Sequence, residues 1–285
     1  MKKILVPVDF SANSKNALRI AAEIAVQYNA ALELLHANTA AVFAMPLSDY
    51  AAAAVYAEDE NYDESASLLL GKLKHELIEN PAFAKLKVSM RVEEGYLHSC
   101  IRNVAEEDKV DLVVMGTKGA AGVNEFLVGS NTEKVIRTAP CPVLAVPEGT
   151  ATFNLKTVLL PSTLKNDQKG VFRYIAAWQK VFGFNVKVLY LNNPAGFPTD
   201  GSAEAAKNRL AEEVGLTNLE VIVSMGSYFE DSTILSVADQ YDVDMVAMGT
   251  HQRHGLSHVF FGSITEDTVN HSHIPVLAIP ISLVN

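Results

Sequence analysis

VDLVVMGTKGAAGVNEFLVGSNTEKVIRTAPCPVLAVP, residues 110–147, decides the fold of this chain. An apolar run, VDLVVM, leads into a segment with glycines at 116, 119, 122 and 129. Ser130 then opens a stretch with helical spacing, and CPVLAVP closes it with a second apolar run. Short runs that are apolar on both faces and alternate with helical stretches describe strands of a parallel sheet covered by helices. Glycine permits positive φ and lets backbone N–H groups come close to a ligand, so strand, glycine loop and helix start together describe an anion cradle.

The same pattern returns. DMVAMGTHQRHGLSHVFFGS (244–263) and IPVLAIP (274–280) repeat it, with Gly249, Gly262 and Ser263 standing where Gly116, Gly129 and Ser130 stand. Upstream, ILVPVDFSANSKNALRIAAEIAVQYNAALELLHA (4–37) repeats as VLLPSTLKNDQKGVFRYIAAWQKVFGFNVKVLYL (158–191). The offset is 154 residues from Pro7 to Pro161 and 133 from Gly116 to Gly249. A period of this length marks a duplicated domain, not a solenoid unit of about 20–50 residues. Strands are expected at about 3–8, 31–37, 87–93, 111–115 and 142–147, with helices at about 14–29, 62–79, 96–107 and 130–138. The second half reads alike, with strands near 156–161, 185–191, 219–225, 244–248 and 275–280. The fold class is therefore α/β: two tandem doubly wound, Rossmann-like parallel-sheet domains, 1–148 and 154–285, joined by EGTATFNLK (148–156). The terminal strands CPVLAVP and IPVLAIP are candidates to pair with each other, which makes one chain a pseudo-dimer and leaves a further homodimer open.

Composition narrows the function. The 285 residues carry a net charge of −10, which argues against a nucleic-acid or anionic-membrane surface. MKKILVPVDF reads as a strand, not a secretion signal, and no uncharged apolar stretch reaches the roughly 18 residues of a spanning helix. Two cysteines, Cys100 and Cys141, form no disulfide framework and no metal-binding pair, so a cytoplasmic setting is the simplest reading. His251, His254 and His258 cluster, but with no cysteine and few acids nearby they read as a polar loop, and no metal is expected. His36 reads as a strand-end histidine, and the Ala-rich segment 39–57 as a lid over the first-half pocket, a cover on the partner domain or a disordered stretch, of which its apolar content favours a packed cover.

In open α/β sheets a ligand lies beyond the carboxyl ends of the strands, where strand order reverses. Asp9 ends the first strand. If strands one and four are neighbours, Asp9 and the glycine loop share a crevice, where Asp9 suits a ribose hydroxyl or a phosphate-bound Mg²⁺. Ser130, Asn131 and Thr132 add side-chain donors at the helix start.

Gly116-x-x-Gly119, nine residues, then Gly129-Ser130 resembles the signature of the universal stress protein family. PVDFS and CPVLAVP resemble that family too, and the likeness runs twice along nearly the whole chain. The resemblance implies strand order 3-2-1-4-5 and binding of ATP or another adenine nucleotide such as ADP or AMP, to which the Asp9 reading adds Mg²⁺ as an optional companion. It implies that Asp9 contacts the nucleotide, that the backbone of Ala37 pairs with adenine, and that Met115 and Gly116 line the pocket. Gly119, Gly129, Ser130 and Asn131 match the phosphate cradle. The second half departs from the pattern: Gln252 replaces the second glycine and Thr163 stands in the place of Asp9, so Gly249, Gly262 and Ser263 form a degenerate site. The functional expectation is a stress-response regulator that switches with bound nucleotide and is read by protein partners. The alternatives are a slow ATP hydrolase, with Lys118 and Glu125 as its only nearby groups, and an adaptor that works through surfaces alone. With no GxxxxGK[ST] loop and no arginine finger, fast turnover is not expected.

Overall fold

The computed structural model describes residues 1–39, 62–117, 130–164, 168–190, 200–223, 231–250 and 260–281. The Ala-rich segment from residue 40, the glycine loop 118–129 and the histidine-rich stretch 251–259 lie outside these. The described residues form two compact units, one reaching Cys141 and the other starting at Pro142.

The first unit contains β1 (Lys3–Pro7), α1 (Ala12–Tyr28), β2 (Ala31–Asn38), α2 (Tyr62–Glu79), β3 (Val88–Glu94), α3 (Leu97–Glu107), β4 (Leu112–Gly116) and α4 (Ser130–Thr138). Its strands lie in the order β3-β2-β1-β4, every described pair parallel. β1 and β4 are buried along nearly their whole length, as apolar runs covered on both faces must be. β3 differs: Ser89 and Met90 are exposed, because this strand forms the sheet's edge. The expectation of uniformly apolar strands therefore fails there. α1 begins where Ser11, in extended conformation, accepts the N–H of Ser14, and it ends at Asn29 in the left-handed region. Its Ala17, Leu18, Ile20, Ala21, Ile24 and Ala25 are buried, and the helix packs on β4 and β1.

The second unit contains β5 (Val143–Val146), β6 (Thr157–Ser162), α5 (Lys169–Phe182), β7 (Asn185–Tyr190), α6 (Asp200–Val214), β8 (Leu219–Val223), α7 (Asp231–Gln240), β9 (Met245–Thr250), α8 (Phe260–His271) and β10 (Val276–Pro280). The order β8-β7-β6-β9-β10 is the expected 3-2-1-4-5, all parallel. β5 joins this unit by lying antiparallel on β10, so the two terminal strands do pair. The linker is anchored as well. Phe153 meets Trp178 and Phe182 edge-on, with ring centroids 6.1 and 5.7 Å apart.

One pair of long-range carboxylate contacts exposes the duplication at atomic level. The Asp111 carboxylate accepts the backbone N–H groups of Lys2 and Lys3 at 2.5 and 2.9 Å. Asp244, its counterpart 133 residues on, accepts those of Lys156 and Thr157, each at 2.7 Å.

Candidate functional site

Three parallel strands of the first unit end on one edge. Pro7 of β1 lies opposite Leu35 of β2, and Leu5 lies opposite Val113 of β4. This register carries Asp9, Ala37, Met115 and Gly116 to the carboxyl edge together.

β2 outruns β1, and the consequence is chemical. The carbonyl of Leu35 accepts the N–H of Val8 at 2.8 Å, so the backbone of Leu35 faces the β1 side. The carbonyl of Asn38 instead accepts from Gly95, beyond β3. Backbone polar groups alternate sides along a strand. The N–H and C=O of Ala37 therefore face the side where β1 has already ended. A donor and an acceptor two bonds apart, at a strand end, form a reading edge for a planar heterocycle.

Asp9 is exposed, and its position is fixed locally. Its Oδ1 accepts both the N–H of Ser11, at 3.1 Å, and the Ser11 hydroxyl, at 2.6 Å. That hydroxyl oxygen also accepts the N–H of Ser14, so the helix cap and the carboxylate hold each other. The turn needs Phe10 in the left-handed region, at φ 63°. The Phe10 ring sits 4.9 Å from the ring of His36, whose Nδ1 donates to the carbonyl of Val8 at 2.8 Å. His36 is buried and braces this turn from beneath, as a strand-end histidine does.

Met115 is buried at the end of β4. Gly116 has a packing reason to be glycine: a Cβ there would lie 3.0 Å from the carbonyl oxygen and 3.1 Å from the carbonyl carbon of Asn13. The glycine lets the start of α1 approach β4, which the motif alone does not reveal. Thr132 is a correction. Its hydroxyl is buried and donates to the carbonyl of Gly116 at 3.4 Å, so it ties α4 to β4 instead of facing a ligand. Asn131 is exposed in the first turn of α4. Ser130 opens that helix, while Gly119 and Gly129 lie outside the described residues.

The second unit builds the same edge differently. Thr163 follows β6 and Gly249 lies in β9, where the nearest atoms to an added Cβ are side-chain carbons, of Val171 at 3.0 Å and Ile281 at 3.2 Å. α8 is described from Phe260, so Gly262 and Ser263 lie within that helix. His251, His254, His258 and Gln252 lie outside the described residues. Among the described residues no three metal-capable side chains cluster. His271 and His273 instead pair with Asp231, at 2.6 Å, and Asp239, at 3.2 Å.

The other charged cluster lies away from this edge, toward the amino end of β1. Lys3 bridges Glu33 and Asp108 at 2.7 Å each, and Arg91 reaches Glu33 and Asp108 at 3.2 and 3.1 Å. The hydrogen bond from Lys3 holds the Asp108 carboxyl below its ordinary range. Both thiols are buried, which raises Cys100 and pushes Cys141 up to about 12. Neither resembles a nucleophile. No helix among the described residues is long and apolar enough to cross a membrane.

Comparison with known proteins agrees with the internal repeat. The Universal stress protein family profile matches the chain twice, over residues 1–147 and 155–280. A universal stress protein of Methanocaldococcus jannaschii is 31% identical over 148 residues, covering 51% of this chain and 81% of that protein. One from Bacillus subtilis is 30% identical over 151 residues, covering 50% and 97%. Across the whole length, the crystal structure of a universal stress protein from Archaeoglobus fulgidus superposes with a TM-score of 0.74 at 20% identity, covering 98% of each chain. That last likeness concerns the fold.

Proposed function

The chain belongs to the universal stress protein family, and from that premise we propose that its first unit binds an adenine nucleotide, ATP or its products ADP and AMP, and that bound nucleotide sets a state read by protein partners. The observation that carries this reading is the backbone of Ala37, whose donor and acceptor face the space beyond the end of β1, beside an exposed Asp9 carboxylate. Adenine offers the complementary acceptor and amino donor along one edge. Asp9, held by Ser11, suits a ribose hydroxyl or a Mg²⁺ carried in with the phosphates. Gly116, Gly119, Gly129, Ser130 and Asn131 supply backbone and side-chain donors for phosphate, at the start of α4 where the helix dipole favours negative charge. Met115 lines the apolar floor. The second unit, with Thr163 for Asp9 and Gln252 for a glycine, completes the fold without a nucleotide of its own.

Native mass spectrometry of gently purified protein tests this directly. The expected result is one adenine nucleotide per chain, released on denaturation. Gly119→Val and Gly129→Val should abolish it while the far-ultraviolet spectrum is kept. Added ATP and Mg²⁺ should raise the melting temperature, because a ligand at about 100 times its Kd stabilises by about 2.7 kcal/mol. Absence of both bound nucleotide and thermal shift would overturn the reading in favour of a nucleotide-free adaptor.

A further inference from the structure

The two turns that follow β1 and β6 begin alike. Phe10 and Leu164 are repeat counterparts, and both take the left-handed conformation, at φ 63° and 55°. α1 runs from Ala12, and α5 is described from Lys169, with residues 165–167 outside the described residues. The residue before α5 is Gln168, in the helix-capping position, yet its side chain makes no capping hydrogen bond. It turns back to the strand end instead. Its Oε1 accepts the N–H of Thr163 at 3.1 Å and also the hydroxyl of Ser162. The Ser162 oxygen in turn accepts the N–H of Leu164 at 2.9 Å. Ser162 and Gln168 are buried, as are their counterparts Val8 and Ser14, while Thr163 is half-buried where its counterpart Asp9 is exposed.

Taking the first unit as an adenine-nucleotide site, we infer that Gln168 is the residue that closes the second one: its carboxamide occupies the carboxyl end of β6, where a nucleotide's ribose and phosphates would lie. The degenerate residues of the second signature are then only half of its silence. Restoring Asp at 163 and Gly at 252 leaves the carboxamide in place, with Thr163's N–H and Ser162's hydroxyl already engaged. A buried carboxamide oxygen that accepts two hydrogen bonds resists displacement, because an incoming ligand must replace every bond it breaks. The second unit is thus held shut by its own side chain, and only the first responds to nucleotide.

Photolabelling with 8-azido-ATP and Mg²⁺, followed by peptide mapping, separates the contributions. The wild-type chain should be labelled in the first unit only. Thr163→Asp with Gln252→Gly should give the same map. Adding Gln168→Ala to that pair should bring a second labelled segment, within the peptides that contain β6 and β9, and a second equivalent of ATP in equilibrium dialysis. Circular dichroism and a cooperative melt establish that each variant is folded, and Gln168→Asn, too short to reach Ser162, serves as a milder opening. Second-unit labelling of the wild type would overturn the inference. So would equal labelling of the double and triple variants, or a folded triple variant and a folded Gln168→Asn variant of the same pair that both gain nothing. Loss of first-unit labelling alone would instead remove the nucleotide reading of that unit, and a gain in the triple variant would still support closure by Gln168.

Discussion

Leu144 lies directly opposite Leu277 across the antiparallel β5–β10 pair, and the two leucines are counterparts in the repeat. Val143 faces Ala278 and Ala145 faces Val276, so each strand presents to the other what the other presents to it. This is the register of an isologous contact, made here between two segments of one chain. Both leucines are fully buried. Leu144→Ala and Leu277→Ala should each lower the unfolding free energy by about 2–5 kcal/mol. Because the residues are direct neighbours, the double variant should lose less than the sum, by about 0.5–3 kcal/mol. Urea denaturation of the four proteins measures this, and strict additivity would mean the pair is not energetically coupled.

The carboxylates of Asp111 and Asp244 each take two backbone N–H groups from the residues that start a neighbouring strand. A carboxylate at these positions fixes where β1 and β6 begin. Hydrogen bonds to a charged group contribute about 1.5–3 kcal/mol each. Asp111→Ala and Asp244→Ala should therefore be destabilising by roughly that amount or more, and Asp→Asn, which keeps an acceptor oxygen, by clearly less. Parallel losses in the two variants are expected from the parallel geometry. Indifference to Asp→Ala in denaturant melts would show that water replaces the carboxylate at no cost.

The sequence made the sheets legible because parallel strands buried on both faces leave an unmistakable apolar run. Residues 112–116 and 245–250 are examples, each found within two residues of its expected place. The strand order followed from resemblance, and the pairing of CPVLAVP with IPVLAIP from their place at the sheet ends. Less was legible where a residue serves packing and motif at once. Gly116 reads as part of a phosphate loop, yet the start of α1 already requires it. Thr132 reads as a ligand donor, yet its hydroxyl is spent on a carbonyl within the fold. Gln168 carries no signal at all in one sequence. Its role depends on a side chain that bonds the strand end and not the helix end, and such local bonds are not fixed by periodicity.

That double duty of glycine makes its own prediction. At Gly116 an added Cβ meets backbone atoms of Asn13, which cannot move without α1. At Gly249 the nearest atoms are side-chain carbons of Val171 and Ile281, which can shift by a few tenths of an ångström without moving a helix backbone. Gly116→Ala should thus cost about 1–3 kcal/mol, as overpacking does, and Gly249→Ala less. Displacing α1 also shifts Ser11, and with it Asp9, so Gly116→Ala should weaken nucleotide binding too. Equal stability losses in the two variants would contradict the difference between rigid and yielding neighbours.

Alkaline stability should depend on Cys141. Burial, reinforced by the nearby Asp111 carboxylate, pushes its thiol up to about 12, while an unfolded thiol ionises near about 8.5. Below about 8.5 both states hold the proton and the contribution of the buried thiol is whole. As pH rises from there toward about 12, the unfolded chain gives up a proton that the folded chain keeps, so stability falls. Within that window the slope reaches about 1.4 kcal/mol per pH unit for one such group. Cys100, raised by burial and by Glu93, acts in the same direction. Unfolding free energies measured at about pH 8, 9.5 and 10.5 should decline more steeply in the wild type than in Cys141→Val. The same burial predicts that neither thiol reacts with a disulfide reagent in the native protein near pH 8, while both react in guanidinium. Rapid native labelling of Cys141, or identical pH slopes with and without it, would show that the thiol is open to solvent and ionises freely.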